Sequence, residues 1–232
     1  MTGKLIGVGV GPGDPQLMTL RAHALISSAK VIAYPAPDSG ESFARSIAAA
    51  AFQAGVLEIP IVIPMKSERF PAQSIYDQAA DRISQELDNG QDVIVLCEGD
   101  PFFYGSFMYL FSRLAKDYET EVVPGVSSLG AVTAASQKPL CARSDQVVIL
   151  PATLPAEVLK SKLQDAQAAA IMKIGRHFSK AKEVVADLGW SERAVFVSHA
   201  SLPEQNVCSL SQAPETAPYF SMILIPGEDP HV

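Results

Sequence analysis

Short apolar runs alternate with helical periodicity along the whole chain. Leu5–Val10, Val31–Tyr34, Glu58–Ile63, Asp92–Cys97 and Thr120–Val123 read as strands. Between them, Ile75, Ala79, Ile83 and Leu87 recur on one face of a helix predicted over Ile75–Asn89, with Gly90 as its stop. Phe107, Leu110, Phe111 and Leu114 do the same over Tyr104–Asp117, and an earlier helix carries His23. Strand, helix, strand in this rhythm implies a parallel sheet with crossover helices.

A second series follows Pro124-Gly125. A small-residue helix over Ser127–Ser136 leads to strands at Val147–Leu150, Ala169–Ile174, Ala194–Ser198 and Phe220–Ile225, with helices near Ala156–Asp165 and Ser179–Leu188. The expected fold class is therefore α/β with two α/β domains, 1–125 and 126–232, the first built on a parallel sheet. A ligand cleft is expected between them, because small molecules settle at strand carboxyl ends and domain interfaces.

Composition narrows the function classes. The chain has 232 residues, 48% of them hydrophobic and 19% charged. No apolar run approaches the roughly 18 residues of a membrane span, and Met1-Thr2-Gly3-Lys4 enters a strand without the pattern of a secretory signal. The expected location is cytoplasmic. The formal net charge of −7 argues against a broad grip on nucleic acid. Cys97, Cys141 and Cys208 are odd in number and far apart, so they offer neither a disulfide framework nor a Cys-x-x-Cys site. Histidine is scarce, and no His-x-x-x-His or carboxylate–histidine cluster exists, so no protein-bound catalytic metal is expected.

Candidate chemistry lies in three loops that follow apolar strands: Gly11-Pro12-Gly13-Asp14-Pro15, Cys97-Glu98-Gly99-Asp100-Pro101-Phe102-Phe103-Tyr104-Gly105, and Val123-Pro124-Gly125-Val126-Ser127-Ser128. The first is not a dinucleotide fingerprint. A Gly-x-Gly-x-x-Gly frame from Gly7 lands on Pro12 and one from Gly9 lands on Asp14, so the third glycine is missing in both. Asp14 is placed to cap the following helix, and Pro15 sits where a missing N–H is harmless.

Taken together, the three loops resemble the tetrapyrrole methylase family, the S-adenosylmethionine-dependent methyltransferases that build cobalamin and sirohaem, across essentially the whole chain. Ile63-Pro64-Met65, Met172-Lys173-Ile174-Gly175-Arg176, His199-Ala200-Ser201-Leu202-Pro203-Glu204-Gln205 and Pro218-Tyr219-Phe220-Ser221-Met222-Ile223-Leu224 look like the branch that methylates carbon 20 of precorrin-2 or its cobalt form. One departure is that the second loop carries Cys97-Glu98 before Gly99-Asp100, where several branches have other residues, so the pattern supports no role for the Glu98 side chain.

The resemblance implies S-adenosylmethionine held mostly through backbone at Pro12, Glu98, Gly99, Asp100, Ser127, Ser128, Ile174, Ala200 and a residue near Pro226. It also implies a homodimer, although no coiled-coil heptad or exposed apolar helix is visible in the sequence to support one. Asp100, Tyr104 and His199 are the catalytic candidates. Asp100 orients the cofactor, acts as a base or caps the helix after it; Tyr104 borders the substrate or packs in the core; His199 adjoins Ala200. His177 is a further candidate for the cleft, whereas His23 and His231 are not. Substrate carboxylates call for cations, to be drawn as a subset from Arg45, Lys66, Arg69, Lys138, Arg143, Lys173 and Arg176. The partner is thus a small tetrapyrrole, with neither nucleic acid nor membrane. Rival readings are methylation at another carbon, a ribosomal RNA methyltransferase of the same fold, or a nucleotide-binding sensor.

Overall fold

The computed structural model describes residues 1–64 and 71–228. Lys66, Arg69, Met65 and His231 lie outside the described residues. The chain divides into two compact units, Met1–Ser127 and Ser128–Val232.

The first unit is built on β1 (Leu5–Gly9), β2 (Val31–Pro37), β3 (Leu57–Ile63), β4 (Val93–Cys97) and β5 (Thr120–Val123). They form one sheet in the order β3-β2-β4-β1-β5, and every pairing is parallel. Its helices are α1 (Leu20–Ser28), α2 (Phe43–Ala48), α3 (Pro71–Asp88) and α4 (Phe107–Leu114). Alternation along the strands sorts the core into two layers. Leu5, Ala33, Ile59, Ile61, Val93, Val95 and Cys97 pack on Ile83 and Leu87 of α3 and Phe107 and Leu110 of α4. Ile6, Val8, Ile32, Tyr34, Ile94 and Leu96 pack on Ile26 of α1 and Ala44 and Ile47 of α2. Being covered on both faces, β1 and β4 are buried throughout, which is why they read as unbroken apolar runs.

Asp14 caps a different element from the one expected. Its Oδ1 accepts from Gln16 N at 2.8 Å, closing a single 3-10 turn over Pro15–Leu17. The helix proper, α1, opens only at Leu20, where Thr19 Oγ1 accepts from Ala22 N at 3.1 Å.

The second unit contains β6 (Val147–Pro151), β7 (Ala168–Met172), β8 (Val195–Ser198), β9 (Asn206–Ser209) and β10 (Ser221–Ile225), with α5 (Ser128–Ser136), α6 (Ala156–Gln164) and α7 (Phe178–Asp187). Its sheet runs β6-β7-β10-β8-β9 and is mixed: β6 and β7 are parallel, while β10 is antiparallel to both β7 and β8, and β9 to β8. Leu159, Leu163, Phe178, Val185, Phe196 and Ile223 fill its core. β7 stops at Met172 rather than Ile174, because Lys173 takes a φ of +55° that no strand continues through.

Candidate active site

β4, β1 and β5 are neighbours in the first sheet, so the loops leaving their carboxyl ends emerge side by side. Gly99 N donates to Gly11 O at 2.8 Å and Gly11 N to Gly99 O at 3.3 Å, while Val10 N donates to Cys97 O at 2.9 Å. The packing is backbone on backbone. A Cβ on Gly9 would stand 2.5 Å from Gly99 O and 2.6 Å from Gly125 N, and one on Gly125 would overlap the Gly99 carbonyl. Gly99 itself holds a φ of +64°.

Asp100 ties this cluster together. Its Oδ1 accepts from Phe102 N at 2.9 Å and Phe103 N at 3.0 Å, and its Oδ2 accepts from Gly125 N at 3.1 Å. Of the roles foreseen for it, this geometry displays the capping one, extended to bracing the loop after β5. Pro12, Glu98 and Ser127 lie half-buried on the same loops, and Ser128 opens α5.

Glu98 is half-buried in a different setting. Burial pushes its pKa upward, against the opposing pull of the nearby backbone N–H groups of Glu98 itself and of Ala44 in α2. Burial likewise pushes the Cys97 thiol up to about 12, which leaves it an inert core group.

Tyr104 lies ahead of α4 rather than in it, with a φ of +57°, and its ring meets Phe103 edge-to-face at 5.4 Å. It is exposed, not a core tyrosine. Arg45 is committed elsewhere: Nε donates to Glu58 Oε2 at 2.6 Å and Nη2 to Oε1 at 2.9 Å, and Tyr34 Oη donates to the same Oε2 at 2.7 Å. The guanidinium holds the Glu58 carboxyl below its usual range. Arg45 thus braces α2 against β3 rather than standing among the loops.

In the second unit, β7 and β8 run alongside β10 in the opposite sense, so their carboxyl ends flank its start. Ile174, Ala200 and the Pro218-Tyr219-Phe220 segment meet along this edge, where His199 N donates to Phe220 O at 2.9 Å. Lys173, His199 and Ser201 all adopt left-handed backbone there, with φ of +55°, +50° and +70°. Non-glycine residues do so rarely. Ile174 is wholly buried, so only its backbone is available to a ligand, whereas Lys173 and Arg176 are exposed.

Pro226 is not brought to this edge. It follows the far end of β10, where it lines a 240 Å³ cavity with Lys138, Asp145 and Arg193. Arg143 is exposed on the connection that supplies Lys138. The sheet is mixed, so only the start of β10 shares an edge with Ile174 and Ala200. The residues missed there are Tyr219 and Phe220, which are 69% and 37% exposed and pack edge-to-face at 5.0 Å. The available signal was a pair of aromatics just ahead of an apolar run, which reads as the beginning of the strand itself.

Among the described residues no group of three or more His, Cys, Asp and Glu is placed to hold a metal ion. No helix among them is long and apolar enough to cross a membrane.

Comparison with known proteins agrees with this architecture. The profile of the tetrapyrrole (corrin/porphyrin) methylases matches residues 4–214. The cobalamin biosynthesis protein CobIJ of Mycobacterium tuberculosis is 39% identical over 97% of the chain, which spans about half (46%) of that protein's length. A precorrin-2 C(20)-methyltransferase of Sinorhizobium sp is 34% identical over 97% of this chain and 96% of its own. Among solved structures, the uroporphyrin-III C-methyl transferase of Thermus thermophilus complexed with S-adenyl homocysteine matches with a TM-score of 0.66 and 22% identity, over 97% of this chain and 98% of that one. With its parallel sheet, its three strand-end loops and a family profile spanning nearly its full length, the chain belongs to the tetrapyrrole (corrin/porphyrin) methylases.

Proposed function

We propose that the protein transfers a methyl group from S-adenosylmethionine to meso carbon 20 of precorrin-2 or cobalt-factor II, a step in cobalamin biosynthesis. The observation that carries this reading is the backbone-to-backbone junction of the loops after β1, β4 and β5, in a chain aligned over 97% of its length with a precorrin-2 C(20)-methyltransferase. Such a junction fits the cofactor, which needs close-lying backbone groups and a shaped apolar slot more than charged side chains. Bound there, the cofactor supplies an activated methyl on sulfur.

The protein's own task is to position and to move one proton. Pro12, Glu98, Gly99, Asp100, Ser127 and Ser128 are proposed to hold the cofactor, and Ile174 and Ala200 are proposed as further cofactor-binding positions, all mainly through backbone. Asp100 acts by keeping the loops after β4 and β5 in register. Lys173 and Arg176, exposed beside Tyr219 and Phe220, are the cations proposed for substrate carboxylates, and the aromatic pair offers an apolar face to the macrocycle.

We further propose a cytoplasmic homodimer. The three cysteines are free, as suits a reducing compartment. Outward-facing Met108, Tyr109 and Phe111 of α4, with neighbouring Phe102, form an apolar surface of the kind a second copy covers.

The decisive experiment is incubation with S-adenosylmethionine and precorrin-2, or its cobalt form, followed by NMR location of the new methyl. A methyl at carbon 20 is expected; a methyl at any other carbon overturns the assignment and favours another branch of the family.

A further inference from the structure

The aromatic pair ahead of β10 is held from behind by one hydroxyl. Residues two apart along a strand share a face, and Ile223 and Ile225 lie wholly buried on the face of β10 that packs against α6 and α7. Ser221 opens the same row, where an apolar side chain would have lengthened the core. Its Oγ instead reaches back three residues and donates to Pro218 O at 2.5 Å.

The turn from Pro218 to Ser221 is thereby pinned at three successive carbonyls. Pro218 O accepts from Ser221 Oγ, Tyr219 O from Ser221 N at 3.1 Å, and Phe220 O from His199 N at 2.9 Å. Two of these bonds come from Ser221. Pro218 adds a fixed φ of its own. A Cβ on Gly175 would stand 3.9 Å from Tyr219 Cα and 4.0 Å from Pro218 O, so the 3-10 turn Gly175–His177, which carries Arg176, lies against the same backbone. What this framework supports faces outward: Tyr219 and Phe220 are exposed and pack edge-to-face at 5.0 Å. An aromatic face on a backbone held this firmly loses little further freedom when it is covered by a ligand.

We propose that Ser221 is a positioning residue for the substrate: its hydroxyl holds the turn so that Tyr219 and Phe220 present one preset face to the tetrapyrrole. This role rests on the functional reading above. Ser221 acts through the pair rather than by touching substrate or cofactor. The face grips the macrocycle as a whole and not the reacting carbon, so it binds ground state and transition state alike. Loosening it therefore raises KM and spares kcat.

The test compares Ser221→Ala, Ser221→Thr, the double variant Tyr219→Ala/Phe220→Ala and the triple variant that adds Ser221→Ala, all in the full chain. KM and kcat are measured with precorrin-2 or its cobalt form, whichever the wild type methylates, and S-adenosylhomocysteine affinity by calorimetry. Ser221→Ala is expected to raise KM about five- to tenfold, the effect of roughly one hydrogen bond, with kcat and S-adenosylhomocysteine affinity within about twofold of wild type. Ser221→Thr keeps the hydroxyl and restores KM. The double variant raises KM at least as much as Ser221→Ala, and the triple variant raises it no further, because residues that act as one unit are not additive. A wild-type KM in Ser221→Ala overturns the proposal, as does a KM in Ser221→Thr equal to that of Ser221→Ala. So does loss of S-adenosylhomocysteine affinity in Ser221→Ala, or a triple variant in which the two KM effects multiply. Wild-type protein that places the methyl on another carbon refutes the carbon-20 reading while the KM comparison still decides the role of Ser221, so the two failures are distinct.

Discussion

Asp100 keeps three backbone N–H groups satisfied with two oxygens, and that sharing makes it sensitive to a change of one atom. In Asp100→Asn the amide oxygen still serves Phe102 and Phe103, but the amide nitrogen cannot accept from Gly125 N. Leaving such a donor unpaired costs about 1–3 kcal/mol. The variant is therefore expected to melt earlier and to bind S-adenosylhomocysteine more weakly, measured by a denaturant titration beside calorimetry; wild-type stability would remove the brace. Gly125→Ala is expected to be worse, because its methyl overlaps the Gly99 carbonyl and the loops must separate. Its melt is the check. Glu98 makes a pH-dependent prediction of opposite sense to an ion-paired acid. Its pKa is raised in the folded state, so the folded protein binds more protons than the unfolded chain between the two values, and stability falls as pH rises through that window. Glu98→Gln should abolish this fall, so that variant and wild type converge at acid pH and the variant melts higher above it.

At the scale of elements, α4 departs most from its pattern. Its apolar residues predict a single buried face, yet Phe111 turns partly outward beside exposed Met108 and Tyr109. Phe111→Lys and Tyr109→Glu are expected to shift the protein toward monomer in sedimentation velocity with little loss of cofactor affinity. A variant that stays dimeric would place the interface elsewhere. The bridge from α2 to β3 makes a contrasting case: Arg45 and Glu58 are partly exposed, and such pairs contribute about 0–1 kcal/mol. Arg45→Met should lower stability by no more than that in a denaturant titration and leave S-adenosylhomocysteine affinity unchanged. Two elements were not legible beforehand, for different reasons. α2 has six residues, too few to display a helical repeat, and its capping Ser42 is one serine among many. β9, Asn-Val-Cys-Ser, is an edge strand with no apolar run, defined by its pairing with β8.

On the scale of the whole molecule, alternation and strand length were enough to predict the five strands of the first sheet and to set the three glycine loops at strand ends, because buried parallel strands need continuous apolar runs and their exits need turn residues. Strand order and direction were not in that pattern. A strand's residues are the same whichever neighbour it pairs with and whichever way it runs, so nothing local distinguishes β10 antiparallel between β7 and β8 from one more parallel strand. Tertiary pairing decided that Pro226 sits at the far edge while Tyr219 and Phe220 share the near one. It also decided that Arg45 meets Glu58 and that the Glu98 carboxyl is desolvated beside Ala44, since these partners are distant in sequence and become neighbours only when the sheet closes. The sequence by itself determined which segments extend, coil and turn, through side-chain periodicity; which side chains share an environment, and hence which are charged, braced or free to react, followed from packing between segments.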